Sequence, residues 1–399
     1  MNLAPTPAQE RYEFIDVVRG VALFGIVSAN MSIYSLYLYL PDSVRKGMKT
    51  HRMDWALDYL ELLFIEGKFY TIFSILFGVG FSLLVARSRA SRAVFHQFFL
   101  RRVFFLFLIG AAHAVLFWHD DILQAYALCG ALLLPFVAVR TRTILAFAVL
   151  ALLAPIWIKL AGGIPSDFFT DAQNALFDRF GFRRDTVFQT WTSGTPGEIV
   201  RLNVCQWFSQ VSFLITSGMI FQIFGCFLLG FCIGRNEVHQ KLKLYRPVIR
   251  RIVIGGIAIG LPLNFFFAVT YSSNSWLRVL SGTFGILPLS AGYASLLCLI
   301  WLNSRGRELL RHFAPVGRMA LTNYVGQSVI CTLVFYGTGL GLGGTMGPTL
   351  YLPMGFAVYG LQVVASRWWL DRFRFGPLEW LWRMLTYGAF FPLRKRAEC

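Results

Sequence analysis

Charge is scarce in this sequence. Only 14 % of its 399 residues are Asp, Glu, Lys or Arg, against about 25 % in a soluble globular domain, so the chain lacks the means to dress a water-facing surface. Acidic residues are fewest, 20 against 37 basic, which leaves a net charge of +17. No cleavable signal peptide is expected, because the apolar run from Val21 to Leu40 is longer than the roughly 7–15 residues of a signal core and reads as a first span. Cysteine is sparse. The seven are scattered, mostly within apolar runs, which speaks against a disulfide framework and reads as small packing residues; Cys205 alone falls near the expected outer face. No Gly-x-Ser-x-Gly elbow is present. His113 and His119 are six residues apart, off one helix face, and no other His or Cys stands at ligand spacing, so no metal is expected. The Gly-rich segment 338–348 has neither a Walker Lys nor a preceding strand and reads as a flexible outer turn. Disorder, a disulfide-stapled secreted fold and a nucleic-acid-binding globule are all disfavoured, the last despite the basic balance.

Apolar residues fill the space that charge leaves. They make up 56 % of the chain, with 39 Phe and 11 Trp. A helix needs about 20 mostly apolar residues to cross roughly 30 Å of hydrocarbon, and in lipid a helix satisfies its own backbone. Ten such runs stand out, at 14–40, 66–86, 100–118, 122–139, 142–160, 204–233, 248–271, 280–302, 314–337 and 349–369. The acidic stretch 53–65 reads as an interfacial helix. The fold class is therefore an all-α polytopic membrane bundle of about ten transmembrane helices, a single domain over 1–399. A polar outer loop at 161–203, with a short helix near 166–180, separates a five-span half at 14–160 from another at 204–391; no sequence repeat relates the halves. With both termini cytoplasmic, 26 of the 37 basic residues fall on inner segments, which the positive-inside rule favours. Arg45, Lys46, Lys49 and Arg52 resist it. The basic balance is then mainly an orientation signal beside anionic lipid.

Ionisable groups in a membrane are costly and usually face a bundle interior or a watery cavity. Asp16 and Arg19, at i and i+3 where the first span begins, share a helix face and can pair; an anchoring ion pair at the interface is the plainer alternative. Asn30 lies about 21 Å further along, as a ligand contact or as interhelical glue. His113 is set among small residues about 18 Å from the Arg101–Arg102 end of the third span. An imidazole exchanges a proton near neutral pH, and Asp121 is placed to orient it. His119, Asp120, Gln124 and Tyr126 turn the neighbourhood toward a reactive cavity, with a packing histidine as the alternative. Glu66 and Lys68 flank Gly67 at the outer entrance of the second span, a site or interfacial snorkelling. Asn203, Gln206, Gln210 and Ser217 form one polar stripe on the sixth span. Asn323 and Gln327 share a face above Arg318.

These motifs resemble those of the YeiB-like bacterial membrane family. Asp16-Val-Val-Arg-Gly-Val-Ala-Leu-Phe-Gly-Ile is similar to its opening span, and Glu66-Gly-Lys-Phe-Tyr-Thr-Ile-Phe-Ser-Ile-Leu-Phe-Gly-Val-Gly to its second. His113 with Asp121-Ile-Leu-Gln-Ala-Tyr126-Ala-Leu resembles its third and fourth spans. Gly317-Arg-Met-Ala-Leu-Thr-Asn323-Tyr and Phe375-Gly-Pro-Leu-Glu-Trp-Leu-Trp-Arg resemble its carboxyl-terminal block. Asp120 departs from the pattern, where a small residue is expected. Through Asp-x-x-Arg-Gly the family in turn resembles the transmembrane acyltransferases, among them the heparan-glucosaminide acetyltransferase.

That resemblance implies an enzyme of a bacterial cytoplasmic (inner) membrane, carrying an acyl group from cytoplasmic acyl-coenzyme A to a hydroxyl or amine at the outer face. Asp16, Arg19, Arg101, Arg102 and Arg318 would serve the coenzyme A end, the arginines holding its phosphates. His113 would be the base with Asp121 behind it. Asn30, Glu66, Lys68, Gln124, Tyr126, Asn323 and Gln327 would position the acceptor. Membrane lipid, the thioester and an acceptor are the expected partners, and a homodimer stays open. Transport of a small polar solute or peptide through the same interior is the alternative, and it expects broken helices near the midplane.

Overall fold

The computed structural model describes residues 12–88 and 91–395. Arg11, Arg89 and Arg396 of the inner basic segments, and Cys399, lie outside the described residues. The described chain is helical, with one isolated bridge between Phe373 and Arg394. The first half holds α1 (Glu13–Tyr34), α2 (Asp42–Gly47), α3 (His51–Phe64), α4 (Lys68–Arg87), α5 (Arg92–Leu116), α6 (Leu123–Ala131), α7 (Thr141–Leu152) and α8 (Ala154–Leu160). The intervening stretch forms α9 (Asp167–Phe180) and α10 (Val187–Ser193). Then come α11 (Pro196–Thr216), α12 (Met219–Arg235), α13 (Arg246–Val269), α14 (Trp276–Leu302), α15 (Ser304–Arg311), α16 (Ala314–Arg318), α17 (Ala320–Phe335), α18 (Pro348–Arg372) and α19 (Pro377–Tyr387).

Six continuous segments are long and apolar enough to cross a bilayer: Glu13–Tyr39, His51–Arg87, Arg92–Leu116, Arg246–Val269, Trp276–Leu302 and Pro348–Arg372. Two bent pairs raise this to eight, α7 with α8 at 51° and α11 with α12 at 62°. By length and composition alone the described residues thus give six to eight spans where the apolar runs number ten, and the reasons are local. The run 122–139 breaks after nine residues into a 3-10 turn at Leu134–Ala138, because Pro135 has no N–H to continue the α ladder. Gly218, at φ +79, separates α11 from α12, a conformation that a side chain disfavours. The apolar run 314–337 is split at Met319 into the five-residue α16 and the 16-residue α17.

Packing gathers both ends of the described chain at one end of the bundle. Tyr12 meets His239 edge-on at 4.5 Å, with Arg87 over its ring. Glu13 pairs with Arg311 at 3.2 Å. Trp382 of α19 donates its indole N–H to the carbonyl oxygen of Arg102 at 2.8 Å. The opposite end is tied just as firmly. Asp54 of α3 accepts from the Thr349 N–H and hydroxyl, capping α18. The Gly-rich segment is pinned rather than loose, since Gly344 N–H donates to the Ser35 carbonyl and Gly337 N–H to that of Trp191. The 161–203 stretch is likewise ordered: a reciprocal Thr195–Glu198 capping box starts α11, and the Trp191 ring is sealed from solvent.

Candidate functional site

One face of α1 lines a cavity of about 1640 Å³ from end to end, through Asp16, Arg19, Leu23, Ile26, Asn30 and Ile33. Steps of three and four residues keep these side chains on one stripe. Opposite runs the aromatic face of α4, with Phe69, Phe73, Phe77 and Phe81. The two ends differ in charge.

At the end where the chain termini gather, Arg19, Arg87, Arg102, Arg318 and Arg383 line the space, against the carboxylates Asp16 and Glu379. Backbone contact brings them together. A Cβ on Gly20 would overlap the Phe313 carbonyl oxygen, and one on Gly317 would overlap that of Asp16. Only glycine at both positions lets α16 lie this close to α1, which sets Arg318 beside Arg19. Asp16 pairs with Arg19 at 3.2 Å. Arg102 stacks on the Trp382 ring at 3.7 Å, fixing α19 across the mouth. Glu379 is spent on structure. It accepts from the N–H groups of Leu321 and Thr322 and from the Thr322 hydroxyl, and burial still pushes its carboxyl up. Arg101 is exposed and outside the cavity lining, over the Phe105 ring. Arg87 and Arg383 were not singled out in the sequence, because each is one cation among many at a helix end.

At the other end the lining carries Asp58, Glu61, Glu66, His119 and Asp120 with the cations Arg45, Lys159 and Arg278, and Gln206, Gln210 and Ser217 of the polar stripe. Asn203, the stripe's fourth member, instead donates to the Val115 carbonyl. Burial pushes the Asp120 carboxyl up to about 7, with Glu66 and Asp121 adding to it and a Gln210 hydrogen bond opposing. Burial likewise holds His119 down to about 4. Its ring stacks flat on Trp191 at 5.2 Å, and its Nδ1 has no hydrogen-bond partner. Asp58 and Glu61 share the Tyr351 hydroxyl at 3.4 and 3.3 Å. In sequence their helix reads as merely interfacial, so neither residue stands out there.

His113 and Asp121 meet: Nδ1 lies 2.9 Å from Oδ1, and both side chains are sealed from solvent. The second oxygen of Asp121 accepts the Gln124 N–H, and Nε2 of His113 has no partner. Neither residue lines the cavity. Tyr324 lines it instead, its ring 5.4 Å from that of His113. Tyr126 and Asn30 do line it; the Tyr126 hydroxyl bonds that of Ser74. Gln124 is turned to the Trp207 indole. Lys68 is buried outside the lining, donating to the Leu62 carbonyl at 2.7 Å. Asn323 and Gln327 belong to a sealed network with Ser366 and Gln362 that ties α17 to α18.

Comparison with known proteins agrees over the full length. Residues 233–389 match the family model described as protein of unknown function, DUF418. YxaH of Bacillus subtilis strain 168 is 30 % identical, aligned over 100 % of this chain and 99 % of its own. YeiB of Escherichia coli K12 is 31 % identical over 96 % and 98 %. A 39.9 kDa protein from the amylase 3′ region of Bacillus acidopullulyticus is 29 % identical over 99 % of each chain. With identity at that level sustained from end to end, the protein belongs to the YeiB-like DUF418 family.

Proposed function

We propose that the protein is a transmembrane acyltransferase, moving an acyl group from a coenzyme A thioester at the basic end of the cavity to a hydroxyl or amine at the acid end. One observation carries the reading: a single cavity joins a mouth of five arginines to the surroundings of a buried His–Asp pair. Guanidinium groups grip phosphate oxygens bidentately, and Arg19, Arg102 and Arg318, joined by Arg87 and Arg383, converge on one space. Between the ends, the aromatic wall of α4 suits a thin pantetheine-like chain. In the reaction the acceptor O–H or N–H gives its proton to a base. The freed lone pair attacks the thioester carbonyl carbon, the C–S bond breaks, and the departing thiolate takes up the proton. His113 is the base through Nε2, with Asp121 orienting Nδ1; Tyr324 must swing aside to admit it. Asn30 faces the cavity and suits the developing oxyanion, whereas the Asn323 amide is committed to Val316 and Ser366.

The same reading sets the topology. The basic end with both termini is cytoplasmic by the positive-inside rule, in the inner membrane of a bacterium. Ten passes fit that arrangement when α6 with its 3-10 turn, α7 with α8, and α11 with α12 each count once beside α1, α4, α5, α13, α14, α17 and α18.

The 51° and 62° bends favour a second reading, since broken helices mark transporters: passage of a small polar solute or peptide. Thermal shift of the detergent-purified protein separates the two. Acetyl- or longer acyl-coenzyme A should raise Tm with concentration, and Arg102→Ala should weaken the response at least tenfold while Arg101→Ala leaves it. Solute counterflow in proteoliposomes, without any coenzyme A response, would replace acyl transfer with transport.

A further inference from the structure

Four cations stand where the proposed topology disfavours them. Arg45, Lys46, Lys49 and Arg52 lie close together at the end of the cavity away from the chain termini, on the face that the positive-inside rule leaves poor in Lys and Arg. They occupy α2, the turn after it and the start of α3, and Lys46, Lys49 and Arg52 are exposed. Among the described residues no carboxylate pairs with these three. Asp42 is taken by Arg45 at 2.9 Å, and Asp54 by Thr50 and Thr349.

The faces of α3 differ in chemistry. Asp54, Asp58 and Glu61 turn toward α18, where they hold Thr349 and Tyr351. Met53, Leu60 and Phe64, at i, i+7 and i+11, form an exposed apolar face. Arg52, Trp55 and Tyr59, at i, i+3 and i+7, share a third. Trp55 and Tyr59 line the cavity, yet Trp55 is 59 % exposed, so the cavity wall here is also molecular surface. Arg45 lines the same rim over the Tyr37 ring at 5.6 Å, as do the exposed Leu38 and Tyr39. An exposed apolar face, with cations and aromatics on the face beside it, is the pattern of a helix lying in the bilayer interface. The apolar face sets α3 among acyl chains, and the cations then meet headgroup phosphates. A zwitterionic headgroup brings its own ammonium and leaves three cations uncompensated, whereas a net-negative one does not.

We propose that the rim formed by α2 and α3 is a docking surface for an anionic phospholipid, its phosphate among Lys46, Lys49 and Arg52 and its acyl chains along Met53, Leu60 and Phe64. The headgroup then lies at the cavity mouth, beside Trp55 and Tyr59. Placing this lipid in the outer leaflet rests on the topology proposed above. The binding itself rests on neither that topology nor acyl transfer, so its test uses no thioester and its failure leaves both readings untouched.

The test is photo-crosslinking of the full chain in nanodiscs holding equal amounts of phosphatidylglycerol and phosphatidylcholine. One lipid at a time carries a diazirine in its acyl chain, and labelled peptides are mapped by mass spectrometry. Labelling of α3 should be at least about threefold stronger with the phosphatidylglycerol probe. Labelling around Leu361 and Val364, exposed on α18, should be equal for the two. In the Lys46→Gln/Lys49→Gln/Arg52→Gln protein the preference at α3 should vanish, with α18 labelled as before. If that protein fails to fold, Lys49→Glu alone, on its exposed turn, should still halve the preference. Equal labelling of α3 by the two probes, an unchanged preference in either folded variant, or loss of the preference to excess inorganic phosphate at fixed ionic strength would overturn the proposal.

Discussion

Asp121 holds His113 by one oxygen and the start of α6 by the other, at 2.9 Å to Nδ1 and 3.1 Å from the Gln124 nitrogen. The carboxylate is therefore both the orienting partner of the imidazole and the cap of the helix that follows.

That double duty makes the first prediction. Asp121→Ala loses two buried hydrogen bonds and leaves the ring nitrogen unpaired, at about 1–3 kcal/mol for each buried group left unsatisfied. His113→Ala removes the ring and leaves one oxygen of Asp121 unpaired, with the helix cap intact. Melting curves should show the larger loss of Tm for Asp121→Ala. In the acyl-transfer reading, His113→Ala should still shift with acyl-coenzyme A yet lose turnover by two to four orders of magnitude. Full turnover in folded His113→Ala protein would remove the histidine from the chemistry.

A second prediction concerns the contact between α1 and α16. Gly317→Ala inserts a Cβ onto the Asp16 carbonyl oxygen, and Gly20→Ala does the same onto that of Phe313. Backbone has no rotamer to yield, so the helices must separate, at roughly 1–3 kcal/mol or more. Each variant should melt earlier and bind acyl-coenzyme A more weakly, because Arg19 and Arg318 part. Gly360→Ala, whose Cβ would meet no neighbour, should do neither. Equal behaviour of the three would remove close approach as the reason for the glycines.

Those glycines also show what was legible in the sequence. Period and composition exposed the helices, and the i, i+3 spacing of Asp16 and Arg19 foretold their 3.2 Å pair. The pairing of His113 with Asp121 was legible because eight residues bracket one helix end. The depth of the pair was not, since a tyrosine 203 positions beyond Asp121 covers it. Arg101 and Arg102 look alike in sequence, and only the docking of Trp382 on one of them tells which faces the cavity. Asp58 and Glu61 were lost for a related reason: an acidic helix reads as solvated until Tyr351, from the far end of the chain, is found against it.

The third prediction follows from Asp120. Its carboxyl is pushed up to about 7, burial being the largest cause, so the fold prefers the protonated form. The sign is then set. Below about pH 4 the group is protonated folded and unfolded, and costs nothing; as pH rises toward 7 the unfolded chain ionises first and stability falls. Asp120→Asn removes that loss. Its Tm should exceed that of the parent at pH 8, by at most the equivalent of on the order of 4 kcal/mol, and the gap should close by pH 4. His119 works in the opposite sense, its imidazole held down to about 4 by burial, so stability drains as pH falls from about 6.5 toward 4. Both proteins share that loss, so the difference between their melting curves isolates the carboxyl. Scanning fluorimetry from pH 4 to 8 in amine-free buffer checks it, and a gap that is constant with pH, or that favours the parent at pH 8, would mean that Asp120 is not held protonated by its surroundings.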